Sequence, residues 1–163
     1  IFLKEDYMEH IEEIIEGSLK IKRYVVEQDE KETGLRKVLN FGHTIGHGIE
    51  GATEYEELYH GECVALGSVA AAFISWKKGY IQMEDYYEIR DMFVPFNLPI
   101  SIDNIEASEI LSNIKFDKKN EGNLLHFISL KKVGKAFIDT TVTVDEMKAA
   151  LDEIIFPEED AHE

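Results

Sequence analysis

Arg36, Asn40, His43 and His47 recur at i, i+4, i+7 and i+11 within residues 34–47. At about 100° per residue they fall within roughly 60° of one helix face. Glu50 extends the same stripe. A surface helix normally turns an apolar stripe toward the core. A guanidinium, an amide and two imidazoles in line suit a site that holds a metal and an anionic ligand together. Neutral imidazole is a common zinc ligand, and histidines one turn apart can share a metal. His60 opens a second helical run and offers a third imidazole. The spacing does not say which of the three histidines bind a metal and which contacts a substrate. Lys22, Arg36 and either Lys118 or Lys119 are the cations available for a carboxylate or phosphate. Each has a plainer reading: Lys22 snorkelling to a helix edge, Arg36 pairing with Glu32 on the surface, Lys118 and Lys119 solvated in a turn.

The elements that must position these residues are mostly helical. Residues 3–27 predict an amphipathic helix with Ile11, Ile15, Ser18, Lys22 and Val25 on one face, so that Lys22 sits on the apolar side. A charged loop over 28–34 leads to a second helix from Arg36 to about Ala52. Gly42 and Gly46 in it suit a close approach by another backbone or a ligand. Residues 60–78 are apolar nearly all round and predict a central buried helix, stopped by Gly79. Further helices are expected over 84–96 and 105–115, a short hairpin over 124–138, and a last helix opened by a capping box from Thr143 to Glu146 and ending near Ile155. The fold class is mainly α: a multihelical domain over 1–156 with a small β-hairpin, followed by an acidic tail over 157–163.

Composition narrows the function classes. The 163 residues carry 17 basic and 33 acidic side chains, a formal net charge of −16. That excludes nonspecific binding to nucleic acid and to anionic membranes. No apolar run reaches the roughly 20 residues of a membrane span. The single cysteine, Cys63, rules out an intrachain disulfide and reads as a small buried hydrophobe. No Gly-rich nucleotide fingerprint is present. The chain begins at Ile1 and enters a helix almost at once, which predicts a piece of a longer polypeptide.

Three separated motifs together carry a resemblance. Residues 29–50, containing Arg36, Asn40, His43, His47 and Glu50, resemble 3-dehydroquinate synthases. So do residues 60–67, beginning His60-Gly61-Glu62. So does Asp117-Lys118-Lys119 with the hydrophobic strand and Val133-Gly134-Lys135 that follow it. The likeness covers nearly the whole chain and corresponds to the C-terminal, mainly helical domain of that family. It implies a metal- and NAD-dependent lyase of the shikimate pathway of aromatic amino acid biosynthesis. The substrate would be 3-deoxy-D-arabino-heptulosonate 7-phosphate and the products 3-dehydroquinate and phosphate.

The resemblance further implies that His43 and His60 hold the metal, zinc or another divalent ion such as cobalt, with a glutamate from upstream of this chain. His47 matches a residue of the substrate and proton-transfer network. Lys22, Arg36, Asn40 and one of Lys118 and Lys119 match substrate contacts, and Glu32 falls near an acidic active-site position. Lys22, Glu32 and His47 are the implied catalytic residues. NAD would be held mainly by an N-terminal domain that this chain lacks, so the 163 residues alone are expected to be inactive. The expected setting is cytoplasmic, in a homodimer whose full-length subunits carry both domains. Gly48 and Cys63 stand where alanine is usual, both mild departures. A related sugar-phosphate cyclase, a polyol dehydrogenase domain, or a non-catalytic helical module that binds a metal or a partner are the competing readings. Retention of both Lys22 and Arg36 favours the synthase.

Overall fold

In the computed structural model, which describes residues 6–31, 34–53, 58–114 and 125–157, the elements run α1 (Ile11–Gln28), α2 (His43–Ala52), α3 (His60–Lys77), α4 (Met83–Met92), α5 (Ala107–Ser112), β1 (Phe127–Lys132), β2 (Lys135–Asp139) and α6 (Val144–Ile154). This is the mainly α fold with one small hairpin that the sequence predicts.

Helix α3 is the axis. Twelve of its residues, from Cys63 to Ser75, are buried, and α2, α4, α6 and β1 pack around it. Its composition explains this. Alanines at 65 and 70–72, with Leu66, Val69 and Ile74, leave no polar face that must reach water. The one buried hydroxyl at its far end is satisfied twice. Ser75 Oγ donates to the Ala71 carbonyl at 2.8 Å and accepts the Leu130 amide at 3.0 Å, which ties α3 to the hairpin. Gly79, at φ 78°, ends the helix as expected. The last helix starts at the predicted capping box: Thr143 Oγ1 accepts the Glu146 amide at 3.2 Å, and Glu146 accepts the Thr143 amide at 2.8 Å. The hairpin turns at Val133-Gly134, with Gly134 at φ 83° and β1 paired antiparallel to β2.

Three expectations need correction. The helix read from Arg36 to Ala52 is two pieces: a 3-10 helix over Leu35–Asn40, then α2. The break lies at Phe41, which is extended (φ −54°, ψ 129°), and at Gly42, which is left-handed (φ 78°). Sequence periodicity cannot reveal such a change of direction, because both pieces repeat at nearly the same period. The helix read over 84–96 stops at Met92, since Pro95 can supply no amide hydrogen to an α-helix; a short 3-10 turn, Val94–Phe96, takes its place. In α1 the packed side is not the predicted one. Val25 is its buried residue, and Ile11, Ile14 and Gly17 are half-buried, whereas Ile15, Ser18 and Lys22 are exposed. The Leu124 end of the expected strand and residues 158–163 of the expected tail lie outside the described residues.

Candidate functional site

Two glycine contacts bring the imidazoles together. A Cβ on Gly67 of α3 would collide with the Gly42 carbonyl, and one on Gly46 of α2 would lie 3.0 Å from the Cys63 carbonyl. The N-terminal halves of α2 and α3 therefore meet backbone to backbone, as the glycines at 42 and 46 predict. This contact sets the first two turns of α2, with His43 and His47, beside the first residue of α3, His60. Glu62 fixes where α3 begins by accepting the Tyr59 amide at 2.7 Å.

The three rings form a triangle. Their centroids lie 5.6 Å (His43–His47), 5.5 Å (His43–His60) and 5.8 Å (His47–His60) apart. Each ring has its Nδ1 on an oxygen. His43 Nδ1 lies 3.1 Å from the Phe41 carbonyl, His47 Nδ1 2.8 Å from Glu50 Oε2, and His60 Nδ1 2.5 Å from Glu50 Oε1. Three imidazoles whose Nδ1 atoms are engaged keep three Nε2 atoms for a ligand. Metal-binding histidines typically show this arrangement, with the second nitrogen held by a carbonyl or carboxylate. The donor set suits zinc or cobalt. Burial pushes the Glu50 carboxyl up, but the two imidazole hydrogen bonds and the imidazole charges together bring it below the usual carboxylate range. Glu50 is buried, while the His47 and His60 side chains are 59% and 57% exposed, so the polar cluster opens outward from a buried base. Among the described residues, ligand atoms of His47, Glu50 and His60 lie within 4.8 Å of one another.

Cys63, one turn along from His60, stays out of this chemistry. Burial, with the negative charges of Glu50 and Glu62, pushes its thiol up to about 11. It is fully buried, the hydrophobe that the sequence predicts.

Beside the triangle lies a cleft of about 750 Å³, whose lining includes Asn40, His43, Thr44 and His47 together with Asn113, His126, Lys31 and Lys37. Its volume is that of a small-molecule site. Asn40, His43 and His47 thus meet at one cleft even though the helix that was to align them is broken. Arg36 does not line it. Its amide donates to Asp29 Oδ2 at 3.0 Å and its guanidinium to the Glu30 carbonyl at 3.4 Å. Lys22 is exposed on α1 and does not line it either. Glu32, Lys118 and Lys119 lie outside the described residues. Sequence reasoning gave no role to Lys31, Lys37, Asn113 or His126, and assigned Glu50 only a place on the stripe. Lys31, Asn113 and His126 come from connecting segments far apart in the chain, so no spacing announces their convergence. The signal for Glu50 was available: an acid three residues after a histidine on an otherwise apolar turn.

Comparison with known proteins places the chain in a family. Residues 2–120 match the family described as 3-dehydroquinate synthase C-terminal. The chain is 41% identical over 138 residues to a 3-dehydroquinate synthase of Clostridium beijerinckii, covering 85% of this chain and 39% of that protein. It is 39% identical over 146 residues to one of Legionella pneumophila, covering 87% and 39%. It therefore spans about two fifths of the length of these relatives. Two solved structures share the fold. One is 2-deoxy-scyllo-inosose synthase complexed with carbaglucose-6-phosphate, NAD+ and Co2+ (TM-score 0.76, 24% identity, 89% of this chain and 42% of that one). The other is 2-epi-5-epi-valiolone synthase of Streptomyces hygroscopicus with NAD+ and Zn2+ bound (TM-score 0.69, 21% identity, 80% and 36%). No described helix is long and apolar enough to cross a membrane. By its match over residues 2–120 and its identity to named relatives, the chain belongs to the 3-dehydroquinate synthase C-terminal family.

Proposed function

We propose that this chain is the helical metal- and substrate-binding part of a 3-dehydroquinate synthase, with residues 1–156 as the folded unit and 157–163 as an acidic tail. The observation that carries the reading is the imidazole triangle, with every Nδ1 held and the Nε2 atoms left for a ligand. The activity is the conversion of 3-deoxy-D-arabino-heptulosonate 7-phosphate to 3-dehydroquinate and phosphate, in the shikimate pathway and in the cytoplasm. His43 and His60 hold the divalent metal, with a further carboxylate from outside these residues. A bound zinc or cobalt supplies Lewis acidity toward a substrate hydroxyl, and NAD, bound mainly by a further domain, supplies a transient hydride acceptor.

The chain's own residues orient and move protons. His47 holds or passes a proton at Nε2 over the cleft. Asn40 positions the substrate through its amide. Arg36, Lys22 and one of Lys118 and Lys119 bind its carboxylate and phosphate, which requires Arg36 and Lys22 to approach a cleft that they do not line in this structure. Glu32 is the acidic member of the set. The working enzyme is a homodimer of full-length subunits.

A related sugar-phosphate cyclase is the second reading, supported by the fold shared with 2-deoxy-scyllo-inosose synthase. The higher identity to proteins named 3-dehydroquinate synthase favours the first. The test is phosphate release from 3-deoxy-D-arabino-heptulosonate 7-phosphate by the full-length protein with zinc and NAD. Turnover of this substrate, with none by the 163-residue chain alone, supports the proposal. Turnover only of a sugar phosphate lacking the carboxylate supports the cyclase instead.

A further inference from the structure

Among the described residues, Glu50 hydrogen-bonds histidines of both helices. It lies in α2 and is 7% exposed. One carboxylate oxygen takes His47 of its own helix and the other takes His60 of α3. An ionised carboxylate has no proton to give, so both imidazoles must donate from Nδ1. Each neutral ring then keeps its lone pair on Nε2. We propose that Glu50 is a positioning residue that fixes His47 and His60 in the same Nδ1–H tautomer, and so makes both Nε2 atoms available at once.

This inference rests on the metal and proton-transfer roles proposed above and adds their common support. It assigns the two histidines a shared dependence although one is to hold a metal and the other a proton. The alternative is that Glu50 is itself a metal ligand. The distances oppose it. Two ligands at about 2.0–2.1 Å from one tetrahedral zinc stand roughly 3.3 Å apart, whereas the Glu50 contacts are 2.5 and 2.8 Å, the separations of hydrogen bonds. Burial of the carboxylate between the two rings leaves it no other described side-chain partner at these distances.

Glu50→Gln separates these accounts. The variant keeps the shape but has one acceptor and one donor group where the carboxylate has two acceptors. One imidazole must then accept at Nδ1 and carry its hydrogen on Nε2. The measurement is the nitrogen–proton correlation spectrum of the imidazoles in the metal-free chain at about pH 9, where histidines are neutral, together with calorimetric titration of zinc. The expected result is Nδ1–H at both His47 and His60 in the native chain. In Glu50→Gln one of them switches to Nε2–H, and zinc affinity falls about ten- to a hundredfold. Nε2–H at either ring in the native chain, or two unchanged rings in Glu50→Gln, overturns the proposal. Correct tautomers in a chain that takes no zinc refute the metal reading and leave the Glu50 assignment standing.

Discussion

Helices α1 and α3 are both eighteen residues long and have opposite fates. In α3 twelve residues are buried; in α1 only Val25 is. Ile15, Leu19, Ile21 and Tyr24 of α1 are each more than half exposed. The two sequences forecast this unequally. Small and aliphatic residues all round α3 admit only a buried position. Glutamates and lysines on α1 require a wet side but do not select which of its apolar residues are covered. The difference matters to the site, because α3 carries His60 and α1 carries Lys22. One imidazole, His60, thus stands on the most buried helix among the described residues, and Lys22, the cation proposed for the substrate, on one of the most exposed.

The comparison is broken most severely at its tightest contact. Gly67→Val places a branched side chain where even a Cβ meets the Gly42 carbonyl. The expected loss is about 3 kcal/mol or more, because the obstruction is backbone that cannot move aside, and this is a large fraction of a marginal domain's stability. Chemical denaturation should find little folded protein, and a native-like midpoint would show that α2 and α3 do not meet as described. Leu66→Ala, in the fully buried side of α3, should cost about 3 kcal/mol by the same measurement.

Next in size is Asp139 at the end of β2. It is 2% exposed and accepts Ser129 Oγ at 3.0 Å, the Thr141 amide at 2.9 Å and Thr141 Oγ1 at 2.6 Å. Burial pushes its carboxyl up, but hydrogen bonds from Thr141, Ser129 and Tyr80 together hold it below the usual carboxylate range. A depressed folded-state value means that its stabilisation is complete above the unfolded value, about pH 4, and is lost as pH falls further. Asp139→Asn should therefore cost about 1–3 kcal/mol at pH 7. Its melting curve and that of the native chain should converge in acid; a gap that persists unchanged at pH 2 would contradict this origin. The smallest effect is on α1, where Leu19→Ala should shift stability by about 0.5 kcal/mol or less. A loss as large as that of Leu66→Ala would mean that α1 is covered.

What the sequence made legible follows the same division. The buried α3, its glycine stop, the Thr143 capping box and the hairpin were readable because each depends on composition or short-range hydrogen bonding. The meeting of His43, His47 and His60 is legible as a set of residue types, but helical periodicity accounts for only part of it. One continuous helix was to align Arg36 with the histidines, and the turn at Phe41-Gly42 sends Arg36 elsewhere. His126, Asn113 and Lys31 at the cleft come from separate connecting segments, and long-range convergence leaves no mark on local spacing. Glu50 needed the structure because its second partner, His60, lies on another helix.

The central claim is that His43 and His60, rather than His47, hold a divalent metal. Calorimetric titration of zinc into the native chain and into His43→Ala, His60→Ala and His47→Ala tests it directly. The account predicts one site, a fall in affinity of about tenfold or more for His43→Ala and for His60→Ala, and near-native affinity for His47→Ala. A loss for His47→Ala as large as that for His60→Ala, with His43→Ala unaffected, would contradict it and place the metal among His47, Glu50 and His60 instead.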